Sequence, residues 1–216
     1  MNKRVIASLL ILAVMSGMCA CSSGSSETSE MSSSAIISTE AEETTTTAEE
    51  TTEETTESVE EYTDFLQGHD TFILNSDDLV DGVWAEAITS TLNGESLSPE
   101  LHWDEVEGAS CYVVYMVNVS TTNFIHLKTD MITATSLAQG ELSLTEYFGI
   151  HPEEGTVCTY DVYVVALANP VERVKGTLAS PCLNFEEFIN DLDVDIDGNS
   201  GNIIAYGRLS GSYSHA

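Results

Sequence analysis

The chain has 216 residues, with 6 Lys and Arg against 36 Asp and Glu, and a formal net charge of −30. That imbalance excludes electrostatic capture of nucleic acid or of an anionic lipid surface, because both need Lys and Arg to neutralise phosphates. Five cysteines are too few for a disulfide scaffold, and 42% hydrophobic residues are compatible with one packed domain.

The chain opens with a short basic stretch, Met1-Asn2-Lys3-Arg4, followed by a mostly apolar run from Val5 to Met15. The run is too short for a stable transmembrane helix and reads as an export signal. Small residues and two cysteines follow, in Ser16-Gly17-Met18-Cys19-Ala20-Cys21-Ser22-Ser23-Gly24. The pattern looks like a bacterial lipoprotein signal, with residues 1–20 removed and Cys21 left as the lipid-bearing N-terminus. Cys21 is favoured over Cys19 because small Ala20 precedes it, whereas bulky Met18 precedes Cys19. A plain secretory signal cut near Ala20 is the alternative. Two or more acyl chains, palmitate among them, would hold the protein at the outer face of the cell membrane.

Residues 21–64 are expected to form a disordered linker. From Ser22 to Asp64 there are 13 acidic and no basic residues, and the only sizeable aliphatics are Met31, Ile36, Ile37 and Val59. Burying so little apolar surface cannot offset the entropy of ordering a backbone, and like charges extend the chain further. The remaining residues, 65–216, hold 23 acidic against 4 basic residues, a formal charge of −19.

Periodicity in this domain predicts strands. Phe72-Ile73-Leu74 and Leu101-His102-Trp103 are short candidates. Cys111 to Val119 is β-branched and aromatic without an acidic residue, the mark of a strand buried on both faces. Asn123 to Lys128 is the next candidate. Thr159 to Leu167 is a second buried strand, with Asp161 its anomaly, and Ile203 to Leu209 is the last. Ser143 to Phe148 reads as a turn or short helix. In Asn184 to Leu192, Phe185, Phe188, Ile189 and Leu192 share one helical face, and Asn184 with Glu187 could form its cap.

Signatures of catalysis are missing from the sequence: there is no G-x-S-x-G, H-E-x-x-H, Walker loop, C-x-x-C or G-x-G-x-x-G. The protein is accordingly expected not to be an enzyme, and no cofactor is implied. The five histidines do not fall at metal-ligand spacings, and no metal site is expected. Asp193-Val194-Asp195-Ile196-Asp197-Gly198 opens like a calcium loop, but Ile204 stands where a bidentate Glu would close the shell. An acidic surface loop with a glycine turn is the better reading.

Six segments together resemble one family. Asn93-Gly94-Glu95-Ser96-Leu97-Ser98-Pro99-Glu100-Leu101-His102-Trp103 resembles the "DGENLSPALSW" segment of the phosphatidylethanolamine-binding protein family, in its bacterial Raf-kinase-inhibitor-like branch. The strand Tyr112 to Val119 resembles the one leading into that family's "DPDAP" loop. Ile125-His126-Leu127 resembles "W-H-W", and Thr135-Ser136-Leu137 resembles "TSLP". Gly155 to Leu167 resembles "G-x-HRYxFTVYAL", and Tyr206 to Ser214 resembles "AxAELxGTYS".

The resemblance implies a mainly β fold, with a large central antiparallel sheet packed with a smaller sheet and few peripheral helices. It also implies an anion pocket, carried over here to His126, Tyr160, Tyr213, Asn118 and Cys158. The pocket is expected to be degenerate. Asn118 stands in place of the family's first loop Asp, and Cys158-Thr159 in place of its His-Arg pair. A thiol is a far weaker donor than imidazole. Neutral Asn118 and Thr159 replace an acid and an arginine together, so neither loss strands a charge. Glu153 and Glu154, expected near the mouth, would repel phosphate. Two functions therefore stand: binding of a small polar or anionic ligand, or a surface protein-interaction module that kept the fold and lost the pocket.

Overall fold

A computed structural model describes residues 64–215. The expected signal peptide, the expected lipidation site Cys21 and the expected linker, apart from its last residue Asp64, lie outside the described residues. Ten strands form two sheets. In chain order they are β1 (Asp70–Thr71), β2 (Leu74–Asn75), β3 (Leu79–Val80), β4 (Val83–Trp84), β5 (Leu101–Trp103), β6 (Cys111–Asn118), β7 (Phe124–Lys128), β8 (Ser136–Leu137), β9 (Val157–Leu167) and β10 (Ile203–Ser214). The larger sheet has the order β3-β4-β10-β9-β6-β7, with β1 beside β10, and the smaller has the order β2-β5-β8. The architecture is thus the expected one, mainly β with a large and a small sheet. The large sheet is mixed rather than purely antiparallel: β9 pairs antiparallel with both neighbours, while β1 and β4 join β10 in parallel.

Why β6 and β9 occupy the middle follows from their composition. Every residue of β6 is buried, as are the last eight of β9, so side chains must be apolar on both faces. Alternation then sends Val113, Tyr115 and Val117, with Tyr163, Val165 and Leu167, to one face, where Phe185, Ile189 and Leu192 cover them. Tyr112, Val114 and Met116, with Tyr160, Val162 and Val164, meet Leu74, Leu101, Trp103 and Leu137 of the small sheet on the other. Two hydrophobic clusters therefore sandwich one sheet.

The helix α1 (Phe185–Asn190) buries Phe185 and Ile189, then tightens into a 3-10 turn over Asp191–Asp193. The expected cap is not formed. Asn184 makes no side-chain bond to the helix amides, and its Nδ2 instead donates to Glu187 Oε2 at 3.1 Å. Ser143 to Phe148 is a turn, in which the amides of Glu146 and Tyr147 both donate to the Ser143 carbonyl. The acidic loop after α1 uses its carboxylates on its own backbone: Asp195 Oδ1 accepts from the amides of Asp197 and Asn199, and Asp193 from Gly201 and Ile203. Among the described residues no cluster of three or more acids, His or Cys could hold a metal ion. Cys111, Cys158 and Cys182 are buried free thiols.

Candidate functional site

His126 takes its place through an irregularity. The β6–β7 register pairs Met116 with Leu127 but Val117 with Ile125, leaving His126 in a bulge. Ile125 accordingly packs into the α1-side cluster and Leu127 into the small-sheet-side cluster. His126 is only 4% exposed. Two hydrogen bonds staple it to Phe148: its Nδ1–H donates to the Phe148 carbonyl at 3.0 Å, and the Phe148 amide donates to the His126 carbonyl at 2.7 Å. A carbonyl can only accept, so Nδ1 carries the proton. Burial lowers the His126 pKa to about 4, although the backbone contacts to Phe148 and Gly149 favour the charged form. The imidazole is therefore neutral near pH 7, and with the proton on Nδ1 the second nitrogen, Nε2, is an acceptor.

An open cavity of about 400 Å³ lies against this ring, lined by Ser90, Asn118, Thr121, Phe124, His126, Phe148 and His151. Its walls are aromatic. The Phe124 ring lies 4.9 Å from His126 between centroids, Phe148 stacks at 6.2 Å, and Tyr160 meets the ring edge-on at 5.3 Å. Asn118 supplies the polar counterpart. Its Oδ1 accepts the Ser120 amide at 3.0 Å, which leaves the two protons of Nδ2 without a partner among the described residues. Ser90 comes to the wall because the backbone of 89–91 runs tightly along 149–150: the Ser90 amide donates to Ile150, and its hydroxyl to Gly149 at 3.2 Å. Only glycine fits at 149, since a Cβ there would lie 2.8 Å from the Ser90 nitrogen.

Of the five residues carried over for the ligand, His126 and Asn118 meet in this cavity. Tyr160 supports the His126 ring from behind, its hydroxyl sealed from solvent without a hydrogen bond, and burial and then the Cys158 thiol hold its pKa up. Cys158 belongs to the small-sheet-side core and is not in the lining. Tyr213 lines a separate cavity with Trp84, Glu154 and His215. Neither Glu153 nor Glu154 is in the lining of the His126 cavity, although His151 of the same segment is. Phe148, His151 and Ser90 were not foreseen. A turn and a tight backbone pairing bring them in, and neither leaves a periodic signal in the sequence.

The chain is similar to two solved structures. One is E. coli YbcL, described as a new member of the mammalian PEBP family, with a TM-score of 0.49 and 17% identity, covering 67% of this chain and 98% of that one. The other is the putative phosphatidylethanolamine-binding protein homologue CT736 from Chlamydia trachomatis, with a TM-score of 0.48 and 17% identity, covering 68% of this chain and 99% of that one. No family model and no curated protein matches the sequence.

Proposed function

We propose that the protein is a non-enzymatic, exported, lipid-anchored binder of a small neutral ligand, held in the cavity between Asn118 and His126. One observation carries the reading. The cavity offers an unpaired donor, Asn118 Nδ2, and an acceptor, His126 Nε2, within aromatic walls and with no Asp, Glu, Lys or Arg in its lining. Such a site suits a molecule with an apolar body and one hydroxyl or amide, which both gives and takes a hydrogen bond. It does not suit phosphate, because a neutral imidazole presenting a lone pair repels an oxyanion. The interaction-module reading would be favoured by a cavity filled by Phe124. Phe124 instead forms one wall and leaves the space open.

The anchor rests on the signal-like run and on small Ala20 before Cys21, and the linker then serves as a spacer from the membrane. Mass spectrometry of the membrane-extracted protein should show a diacylglyceryl peptide beginning at Cys21. An unmodified N-terminus in the medium would refute the anchor.

For the ligand, benzyl alcohol is a suitable probe, titrated into the full chain at pH 7.5 and followed by amide shifts. Saturable shifts at Phe148 and Ser120 that disappear in His126→Ala are expected. Inorganic phosphate and phosphoethanolamine should leave these amides unmoved. Tight phosphate binding that depends on His126 would reverse the reading.

A further inference from the structure

Residues 65–216 contain only four basic side chains, and three of them, Lys128, Arg173 and Lys175, line one cavity of about 400 Å³. Its other walls are Val174, Gly176, Thr177, Ser180, Pro181, Cys182 and Phe188, so no acidic residue lines it in a domain that carries 23. The bulge at His126 separates it from the first cavity. Past that bulge Lys128 pairs with Tyr115, whose side chain belongs to the α1-side cluster, while His126 packs on Tyr160 of the small-sheet-side cluster.

The cations are differently occupied. Lys128 Nζ donates to the carbonyls of Val174 and Gly176, at 3.2 and 3.0 Å, which fixes the turn and leaves one of its three protons free. Lys175 is bound to Asp191 and lies 5.8 Å from the centre of the Phe188 ring. Arg173 is exposed and has no partner among the described residues. Neither the Thr177 nor the Ser180 hydroxyl is engaged there. Glu172, Asp191 and Asp195 line the adjoining cavity, which shares Arg173 and Lys175. Three cations against Asp191 leave the lining positive, in a molecule whose overall field repels anions. Such charge is retained most simply to meet an oxyanion, which a forked guanidinium, an ammonium and two hydroxyls can surround.

The geometry points to a second binding site, formed by Lys128, Arg173, Lys175, Thr177 and Ser180, for a small phosphate- or carboxylate-bearing group. It is independent of the neutral-ligand cavity on the other face of the sheet.

Inorganic phosphate titrated into the full chain, followed by amide NMR shifts, tests the assignment. Saturable shifts are expected at Gly176, Thr177 and Ser180, with a Kd of about millimolar. Arg173→Gln, at an exposed residue without structural partners, should weaken binding about tenfold, the loss of one charge-assisted contact. Phe148→Ala, in the other cavity, should leave it unchanged, so failure here is distinguishable from failure of the neutral-ligand reading. Phosphatidylglycerol vesicles distinguish the source: competition with phosphate identifies a lipid headgroup, and indifference to vesicles a free small molecule. Shifts that never saturate, that equal ionic strength of sodium chloride reproduces, or that survive Arg173→Gln unaltered overturn the site.

Discussion

Asp161 is the only acid on β6, β7, β9 or β10, and it is fully buried. Arg208 on β10 answers it, with Nε at 3.0 Å and Nη2 at 2.7 Å from the same oxygen, Oδ2. Arg208 also reaches Asp64 at 3.5 Å, and the Tyr206 hydroxyl donates to Asp64 at 2.7 Å, so this cluster fixes the point where the chain enters the domain. Taking Arg208 away leaves an uncompensated buried charge. Arg208→Met should therefore cost about 3–5 kcal/mol in urea unfolding, while pairing it with Asp161→Leu should recover most of that loss. A double variant as unstable as the single one would refute the charge argument. His126 supplies a second test. It is neutral in the fold down to about pH 4, but titrates near 6.5 once unfolded. The unfolded chain then binds more protons between those values, so stability is complete above pH 6.5 and falls as the pH drops towards 4. The full loss amounts to roughly 3 kcal/mol. His126→Gln should flatten this part of the stability profile relative to the parent. Parallel profiles would show that the imidazole is not desolvated.

The edge elements depend on the long strand beside them. β3 and β4 have two residues each, too few to stand alone; they stand where they do because Trp84 inserts against Gly211 of β10. The indole Nε1–H donates to the Tyr160 carbonyl at 3.2 Å, and a Cβ on residue 211 would lie 2.8 Å from that nitrogen and against Leu79 as well. Gly211→Ala should therefore displace Trp84 and destabilise the domain by about 1–3 kcal/mol. Its signature should be a change in tryptophan fluorescence; an unaltered spectrum would place the indole elsewhere. The same dependence explains what could be read in the sequence. β6 and the inner part of β9 are legible because burial on both faces forces an almost wholly apolar composition, Asp161 being the exception. β10 was foreseen only to Leu209, because Ser210 to Ser214 is polar and glycine-rich. It remains a strand by pairing with β9 out to Ser214 and Val157. At the site, His126 and Asn118 were legible through a motif resemblance. Tyr213 lines another cavity, because a motif gives a strand position and not the cavity that position faces.

Across the whole domain, one sheet separates two cavities of opposite character. The Asn118–His126 cavity has no Asp, Glu, Lys or Arg in its lining, whereas the Lys128–Arg173–Lys175 cavity gathers most of the domain's positive charge. Salt should distinguish them. A neutral molecule gains nothing from long-range fields, so benzyl alcohol affinity should change less than about twofold between low salt and ~1 M sodium chloride, where the Debye length has fallen to about 3 Å. Phosphate at the cationic cavity depends on those fields and should weaken several-fold across the same range. The cavities share no lining residue and lie across packed β-sheet, so saturating one should leave the Kd of the other unaltered. Isothermal titrations of each probe in the presence of the other, at both salt concentrations, measure all of these quantities. A salt-sensitive benzyl alcohol affinity would show that charge reaches the His126 cavity. Coupling between the probes would show instead that the central sheet shifts on binding and does not act as a rigid partition.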